Sequence, residues 1–391
     1  MRRKRDKITQ FARDPSEVQL PSDLNRWLLG LTIETVRVLF VKLGAIGDIV
    51  HTLPALAAVR RERADIHLTW VAERRSAEIL RGNPLNEALP EIDTRAMREG
   101  GLLDEMVPEI RRQLGPLRKQ KFDIAIDFQG LIKSGIVAKL SGAKTRWGFS
   151  RKNLREPASR LFLNKTVKII ETASVIEKNL RLADAVLGPF ANITEPEFPI
   201  FTEVEHRLDA AAIATQVGGD FAILNPGGGW VTKLWHAEKF GQLADRIWEE
   251  HGIVPIIATG PAEKEIAAKV LEASRCGKAI ATEPSLKGFY ELAKRARVYV
   301  GGDTGPTHLA VAAGTPVVGI FGPTEWWRNG SPNPSDICVE RNDIGWRIDC
   351  HRRTCSNWIC MDISVDTVAE AVTSRLKTAL EQVKTVEVIA S

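Results

Sequence analysis

Asp48 stands at the first turn after an apolar run, in VRVLFVKLGAIGDIVHTLP (residues 36–54). A carboxylate there has two uses. It can cap the positive end of the helix that follows, or it can stay ionised at the mouth of a cleft and act as a general base. The local sequence allows both. A second group of residues suits an anion: in LNPGGGWVTK (224–233), Gly227, Gly228 and Gly229 follow an apolar run and Lys233 lies in the same loop. Glycines let a backbone approach phosphate oxygens and the lysine adds positive charge, although a plain flexible connection would also read this way. The loop lacks the G-K-[ST] ending of a P-loop, which disfavours nucleoside triphosphate hydrolysis. A third group is VYVGGDTGPTHLA (298–310), where Asp303 and Thr304 precede Gly305-Pro306 and a helix carrying His308. A free helix N-terminus binds anions, and Asp303 taken alone would serve as a cap. Two such turns on neighbouring strands converge on one crevice and imply a diphosphate ligand.

The elements that must position these residues alternate. VRVLFVKL predicts a strand buried on both faces, Asp48 to about Arg63 a helix, and IHLTWVA a second strand. FDIAIDFQG repeats the strand-then-turn pattern ahead of a helix over 131–140. Beyond a proline-rich stretch the pattern resumes with FAILNP, VPIIATG, ARVYVGGD and PVVGIFGPT, with helices between. The expected fold class is α/β, with two doubly wound parallel-sheet domains whose strand ends face a cleft. The expected division is a basic extension (1–35), a first domain (36–187), a linker (188–203), a second domain (204–364) and a closing C-terminal helix (365–391).

Composition agrees with this picture. At 391 residues the chain exceeds one ordinary core, so two domains are expected. No stretch approaches the roughly 20 apolar residues that span a bilayer. The net charge of +5 is too mild to demand nucleic acid but admits an acidic substrate or an anionic membrane. The opening MRRKRDKITQFARD is basic, while WLLGLTI is too short and too late for a signal peptide, so a cytoplasmic protein is expected. The arm reads as an extension, a first helix or a segment leaning on anionic lipid. Five cysteines do not make a secreted disulfide framework. Cys350, Cys355 and Cys360, with His351 beside the first, are spaced by five and do not match C-x-x-C zinc ligation, so no metal site is expected.

KLGAIGDIVHTLPAL, DFQGLIKS, WHAEKF and GGDTGPTHLAVAAGTPVVGIFGPT, in this order, resemble the ADP-heptose:lipopolysaccharide heptosyltransferase family, from Val36 to about Ser331. The resemblance implies the GT-B architecture, with the acceptor held by the first domain and the nucleotide sugar by the second, and an inverting transfer of heptose that needs no metal and no cofactor. It makes Asp48 the catalytic base. Gly228, Gly229, Lys233, Glu263, Asp303, Thr304, Gly305 and His308 become the binding residues for the donor, ADP-heptose. Arg95, Arg98, Lys133 and Arg155 become those for the acceptor, Kdo-lipid A or the lipopolysaccharide inner core. It also implies a place on the cytoplasmic face of the inner membrane, and leaves the oligomeric state open.

The stretch REP resembles the first heptosyltransferase of the pathway, whereas the cysteine-bearing tail resembles relatives of the second type, which act on the first heptose. Gly228 and Gly229 stand where several relatives carry hydroxyl residues. Two other classes bear comparison. A nucleotide-dependent oxidoreductase wants G-x-G-x-x-G, but Lys42 replaces its first glycine and Glu73 is the one acid placed to end the second strand. A non-catalytic nucleotide-sugar-binding module would share every donor feature and lack turnover.

Overall fold

The computed structural model describes residues 35–96, 103–192, 194–345, 350 and 352–390. Six strands form the first sheet: β1 (Val36–Val41), β2 (Ile66–Glu73), β3 (Glu91–Ile92), β4 (Ile124–Asp127), β5 (Thr145–Phe149) and β6 (Lys165–Val167). Six more form the second: β7 (Phe221–Asn225), β8 (Val254–Ala258), β9 (Ile280–Thr282), β10 (Val298–Gly302), β11 (Val317–Phe321) and β12 (Ile337–Glu340). Their spatial orders are β3-β2-β1-β4-β5-β6 and β12-β11-β10-β7-β8-β9, and the pairings within both are parallel.

The second order is the first written in reverse: each sheet turns back between its first and fourth strand. That reversal opens a crevice at the carboxyl ends, where doubly wound sheets bind ligands. It falls between β1 and β4 in one sheet and between β7 and β10 in the other. The four turns leaving these strands carry Asp48, Gln129, the Gly227–Gly229 loop and Asp303. Val38–Val41 of β1 and Phe221–Leu224 of β7 read as uninterrupted apolar runs because helices cover both faces of each sheet; Val38, Leu39, Phe40, Ile223 and Leu224 are fully buried.

The helix expected from Asp48 to about Arg63 is two helices, Ile46–Val50 and Leu53–Glu62. Pro54 has no N–H to continue the i→i−4 ladder, and the break is filled by the Thr52 hydroxyl, which donates to the Asp48 carbonyl at 2.9 Å. The first helix also begins earlier than expected, with Ala45 in the N-cap position. Asp48 is therefore its third residue and not its cap, and its side chain is engaged elsewhere.

One cluster of buried side chains runs from β1 and helix Leu53–Glu62 into β7, β10, β11 and helix Gly305–Ala312, so the two sheets share a core. The tightest point of that union is backbone against side chain. A Cβ at Gly47 would collide with the His308 imidazole, and a Cβ at Gly305 would lie 3.2 Å from Ile46 Cβ. On the far side of the second sheet, helix Val365–Ala390 buries Val368, Val372 and Arg375, the last paired with Asp336 at 2.9 Å. Among the described residues no helix is long and apolar enough to cross a membrane.

Adding one methyl to a close-packed contact costs about 1–3 kcal/mol. Gly47→Ala should therefore lower the thermal midpoint, and the same substitution made on a His308→Ala background should cost much less. Equal penalties on both backgrounds, read from thermal unfolding of the four proteins of the cycle, would refute a steric origin.

Candidate active site

On the first sheet the site is built around Asp48. Lys42 continues the line of β1 into the interior, where its Nζ donates to the Phe128 carbonyl at 2.9 Å and stands 3.8 Å from Asp48 Oδ1. Gln129, in the turn after β4, clamps the neighbouring backbone: its Oε1 accepts from Leu43 N at 3.1 Å and Gly44 N at 3.0 Å, and its Nε2 donates to Asp48 Oδ2 at 3.2 Å. Burial pushes the Asp48 carboxyl up, but the Lys42 ammonium, His51, the Gln129 amide and Arg155 outweigh it and hold the group below the ordinary aspartate value. Asp48 is thus ionised at neutral pH while 31% of its side chain stays accessible.

Beneath it lies a second carboxylate of opposite character. Asp127 is fully buried, and burial pushes it up to about 6 even though it accepts from Gln129 N, Gly130 N and the Ser134 hydroxyl.

On the second sheet the centre is Asp303, buried between three elements. Lys233 Nζ lies 2.6 Å from Oδ2, His308 Nε2 lies 3.2 Å from Oδ1, and Asn329 Nδ2 donates to Oδ2 at 3.3 Å. Burial would raise this carboxyl, yet His308 and Lys233 together hold it far below the carboxylate range. Asp303 is therefore an anionic pillar and not simply a helix cap. Thr304 occupies the N-cap position of helix Gly305–Ala312 without a side-chain cap, its hydroxyl turned to Asn225 Oδ1 at 3.4 Å.

The glycines of the donor loop differ in kind. A side chain at Gly227 would run into the Glu263 carboxylate, one at Gly228 would sit 2.8 Å from Thr304 Cγ2, and one at Gly229 would meet open space. Glu263 is half-buried, accepts from Gly260 N at 2.9 Å and faces the loop, whereas Glu265, two residues on, is exposed on the next helix.

The two halves meet through a pair of imidazoles. His51 Nε2 lies 3.1 Å from His308 Nδ1, with the rings edge to face. With both rings neutral, His308 Nε2 donates to the Asp303 carboxylate and His51 Nε2 donates to His308 Nδ1, a tautomer assignment that follows from the partners. Burial and the neighbouring His308 depress His51 well below the usual histidine value, so it is uncharged at neutral pH. Lys233, Asp303, His308 and His51 form a continuous polar line across the cleft, ending one helical turn from Asp48.

The expected acceptor residues are less closely gathered. Lys133 reaches Glu73 at 2.8 Å, which leaves Glu73 engaged in an ion pair. Arg155 is exposed beside the Gly130 turn, and its charge reaches Asp48 and Lys42. Arg95 is exposed on the turn after β3, its backbone N–H donating to Asp93 Oδ1 at 3.0 Å. Arg98 and His351 lie outside the described residues.

Residues given no site role from sequence complete the site: His51, Gln129 and Asn225, together with Lys42, noted in sequence only as standing in place of a fingerprint glycine. Lys42 and His51 flank Asp48 within KLGAIGDIVH, and that proximity was their only sequence signal. Of the described cysteines Cys360 alone is buried, and no disulfide joins any of them. No group of three or more His, Cys, Asp or Glu among the described residues could hold a metal ion.

A carboxyl whose folded pKa is raised favours the protonated folded state, so its contribution weakens the fold as pH climbs from the unfolded value to the folded one. For Asp127 that window runs from about 4 to about 6 and amounts to roughly 2–3 kcal/mol. Urea unfolding across pH 3.5–7.5 should show Asp127→Asn gaining on the wild type through this window. A difference between the two proteins that does not change with pH would contradict the assignment.

Three comparisons bear on this geometry. The family model described as glycosyltransferase family 9 (heptosyltransferase) matches residues 110–358. Lipopolysaccharide heptosyltransferase 1 of Pseudomonas aeruginosa is 30% identical over 304 residues, spanning 77% of this chain and 83% of that protein. The Escherichia coli heptosyltransferase WaaC with ADP-2-deoxy-2-fluoro heptose is similar with a TM-score of 0.65 and 25% identity, over 78% of this chain and 93% of that one. The same enzyme with ADP has a TM-score of 0.70 at 23% identity, over 87% and 100%, a likeness of fold.

Proposed function

We propose, from the premise that this chain belongs to glycosyltransferase family 9 (heptosyltransferase), that it moves a heptose from ADP-heptose onto a Kdo residue of the lipopolysaccharide inner core. The chain is a glycosyltransferase of lipopolysaccharide core biosynthesis; the donor, the acceptor and the residue roles that follow are our reading. The Kdo acceptor is our reading of the first-type resemblance in the REP stretch; curated relatives named lipopolysaccharide heptosyltransferase 1, including that of Pseudomonas aeruginosa, support that type. The acceptor's lipid anchor places the reaction on the cytoplasmic face of the inner membrane, with this protein peripheral to it.

In the proposed reaction an acceptor hydroxyl attacks the anomeric carbon of the donor. Asp48 takes the hydroxyl proton as the new C–O bond forms, while the bond from the anomeric carbon to the diphosphate oxygen breaks on the opposite face, inverting the centre. One base suffices, because the departing ADP needs charge stabilisation more than a proton. Lys233 and the backbone N–H groups of Asp303, Thr304 and Gly305 supply it, while His308 serves the donor site by holding Asp303 in place through its Nε2; the reaction as proposed draws on no metal or cofactor. Gly227 and Gly228 let the loop approach the phosphates, and Glu263 lies where it can receive the ribose hydroxyls. On the acceptor side Arg155, with Lys133, Arg95 and Arg98, offers forks or point charges to phosphate and carboxylate groups.

The observation that carries this reading is the state of Asp48. It is an accessible carboxylate kept ionised by Lys42 and oriented by Gln129, and it stands on the helix that ends at His51, which meets His308 of the donor side.

Transfer from ADP-heptose to Kdo-lipid A by the purified protein is the direct test. Asp48→Ala should lower turnover by about 10²–10⁴-fold while ADP still binds. A folded variant with wild-type turnover would remove Asp48 from the mechanism. Transfer to an acceptor already carrying one heptose, and not to Kdo-lipid A, would reassign the chain to the second step.

A further inference from the structure

The donor loop has a neighbour that the reaction above does not use. Trp230 follows Gly229 directly, and two cations lie against its ring: Lys233 Nζ at 4.3 Å from the centroid and Arg353 Cζ at 4.8 Å. Arg353 comes from the cysteine-bearing stretch CHRRTCSNWIC (350–360), more than a hundred residues away in sequence.

The stretch is tied to the donor loop on both sides of Arg353. Thr232 Oγ1 donates to the Arg352 carbonyl at 2.7 Å, and Trp358 Nε1 donates to the Thr232 carbonyl at 2.9 Å. Arg353 is therefore anchored through its backbone neighbours and stacked through its side chain, yet it is exposed to solvent and forms no ion pair among the described residues.

The charges around this ring do not balance. Lys233 has a carboxylate partner in Asp303, whereas Arg353 has none among the described residues. Arg353 adds a second positive charge within roughly 9 Å of the first, a separation over which salt does not fully screen their repulsion. An arrangement of this kind is relieved by an anion. The adjoining loop is shaped for one, yet Gly228 and Gly229 give it no side-chain donors. A guanidinium pairs with phosphate through two parallel N–H bonds, and stacking on Trp230 restricts its freedom before the ligand arrives, which lowers the entropic cost of binding.

We propose that Arg353 is a further ligand of the donor's diphosphate, presented by the cysteine-bearing loop and held by stacking on Trp230. Arg353 thereby supplies the side-chain contact that Gly228 and Gly229 lack, and favours a nucleoside diphosphate over a monophosphate or a nucleoside. The inference rests on the donor-site reading given under Proposed function.

Calorimetric titration of the full chain with ADP, AMP and adenosine tests it. Arg353→Ala should weaken ADP about tenfold, AMP by less, and adenosine not at all. Arg353→Lys should recover part of the loss, because it keeps the charge without the fork. Trp230→Leu should weaken ADP in the same direction by releasing the guanidinium. Arg352→Ala, whose neighbour uses only its backbone carbonyl, should titrate as the wild type. Wild-type ADP affinity in Arg353→Ala would overturn this inference alone, as would equal losses for ADP and adenosine, which would mark a merely structural role. A wild-type chain that does not bind ADP would overturn the donor-site reading and this inference together.

Discussion

A carboxylate taken out of water persists as an anion only if charge meets it from several directions, and Asp303 is such a group. Lys233 comes from the donor loop, His308 from the helix after β10, and Asn329 from helix Trp326–Asn329. Three elements, two of them outside Asp303's own turn and helix, must therefore arrive together for the group to be tolerated. On the proposed reading, Lys233 is then held where a diphosphate would need it. Because His308 also faces His51, the same buried charge sets the position of the first sheet's leading helix. The architecture of the cleft follows from satisfying one anion.

The two sheets share a topology but use their leading turns in opposite ways. After β7 the turn is emptied of side chains, and backbone and lysine are left to face a ligand. After β1 the corresponding space is filled by the Lys42 ammonium and the Gln129 amide, which together support a carboxylate. An anion-binding turn and a turn that displays an anion cannot be the same turn, since Asp48 would repel phosphate. One fold, used twice, divides the proposed chemistry between a half that attracts charge and a half that presents it.

How far this could be read in the sequence depended on how local each signal was. Alternating apolar runs and helical stretches announced both doubly wound sheets, and the glycine turns at their strand ends marked the crevice. Local sequence left Asp48 between cap and base, and only the resemblance chose the base, because the break at Pro54 and the early start at Ile46, which take it out of the cap position, are not visible in its neighbours. Gln129 went unnoticed since its partners lie about eighty residues back, and the His51–His308 contact joins positions 257 apart. The arginines expected for the acceptor were harder still, because long exposed side chains are placed by a ligand more than by the fold.

The contact between Gly47 and His308 also bears on how such a protein can change. Two halves of identical strand order look like interchangeable modules, and each leading helix would suit its own sheet. At the seam, however, the absence of a side chain at one position is the mould for a ring at the other. A first half grafted from a relative would fit this second half only if it brought a glycine at that place and an imidazole one turn later. The cleft is thus inherited as a matched pair of surfaces, and the unit that can be exchanged is the whole of residues 36–391 and not either sheet.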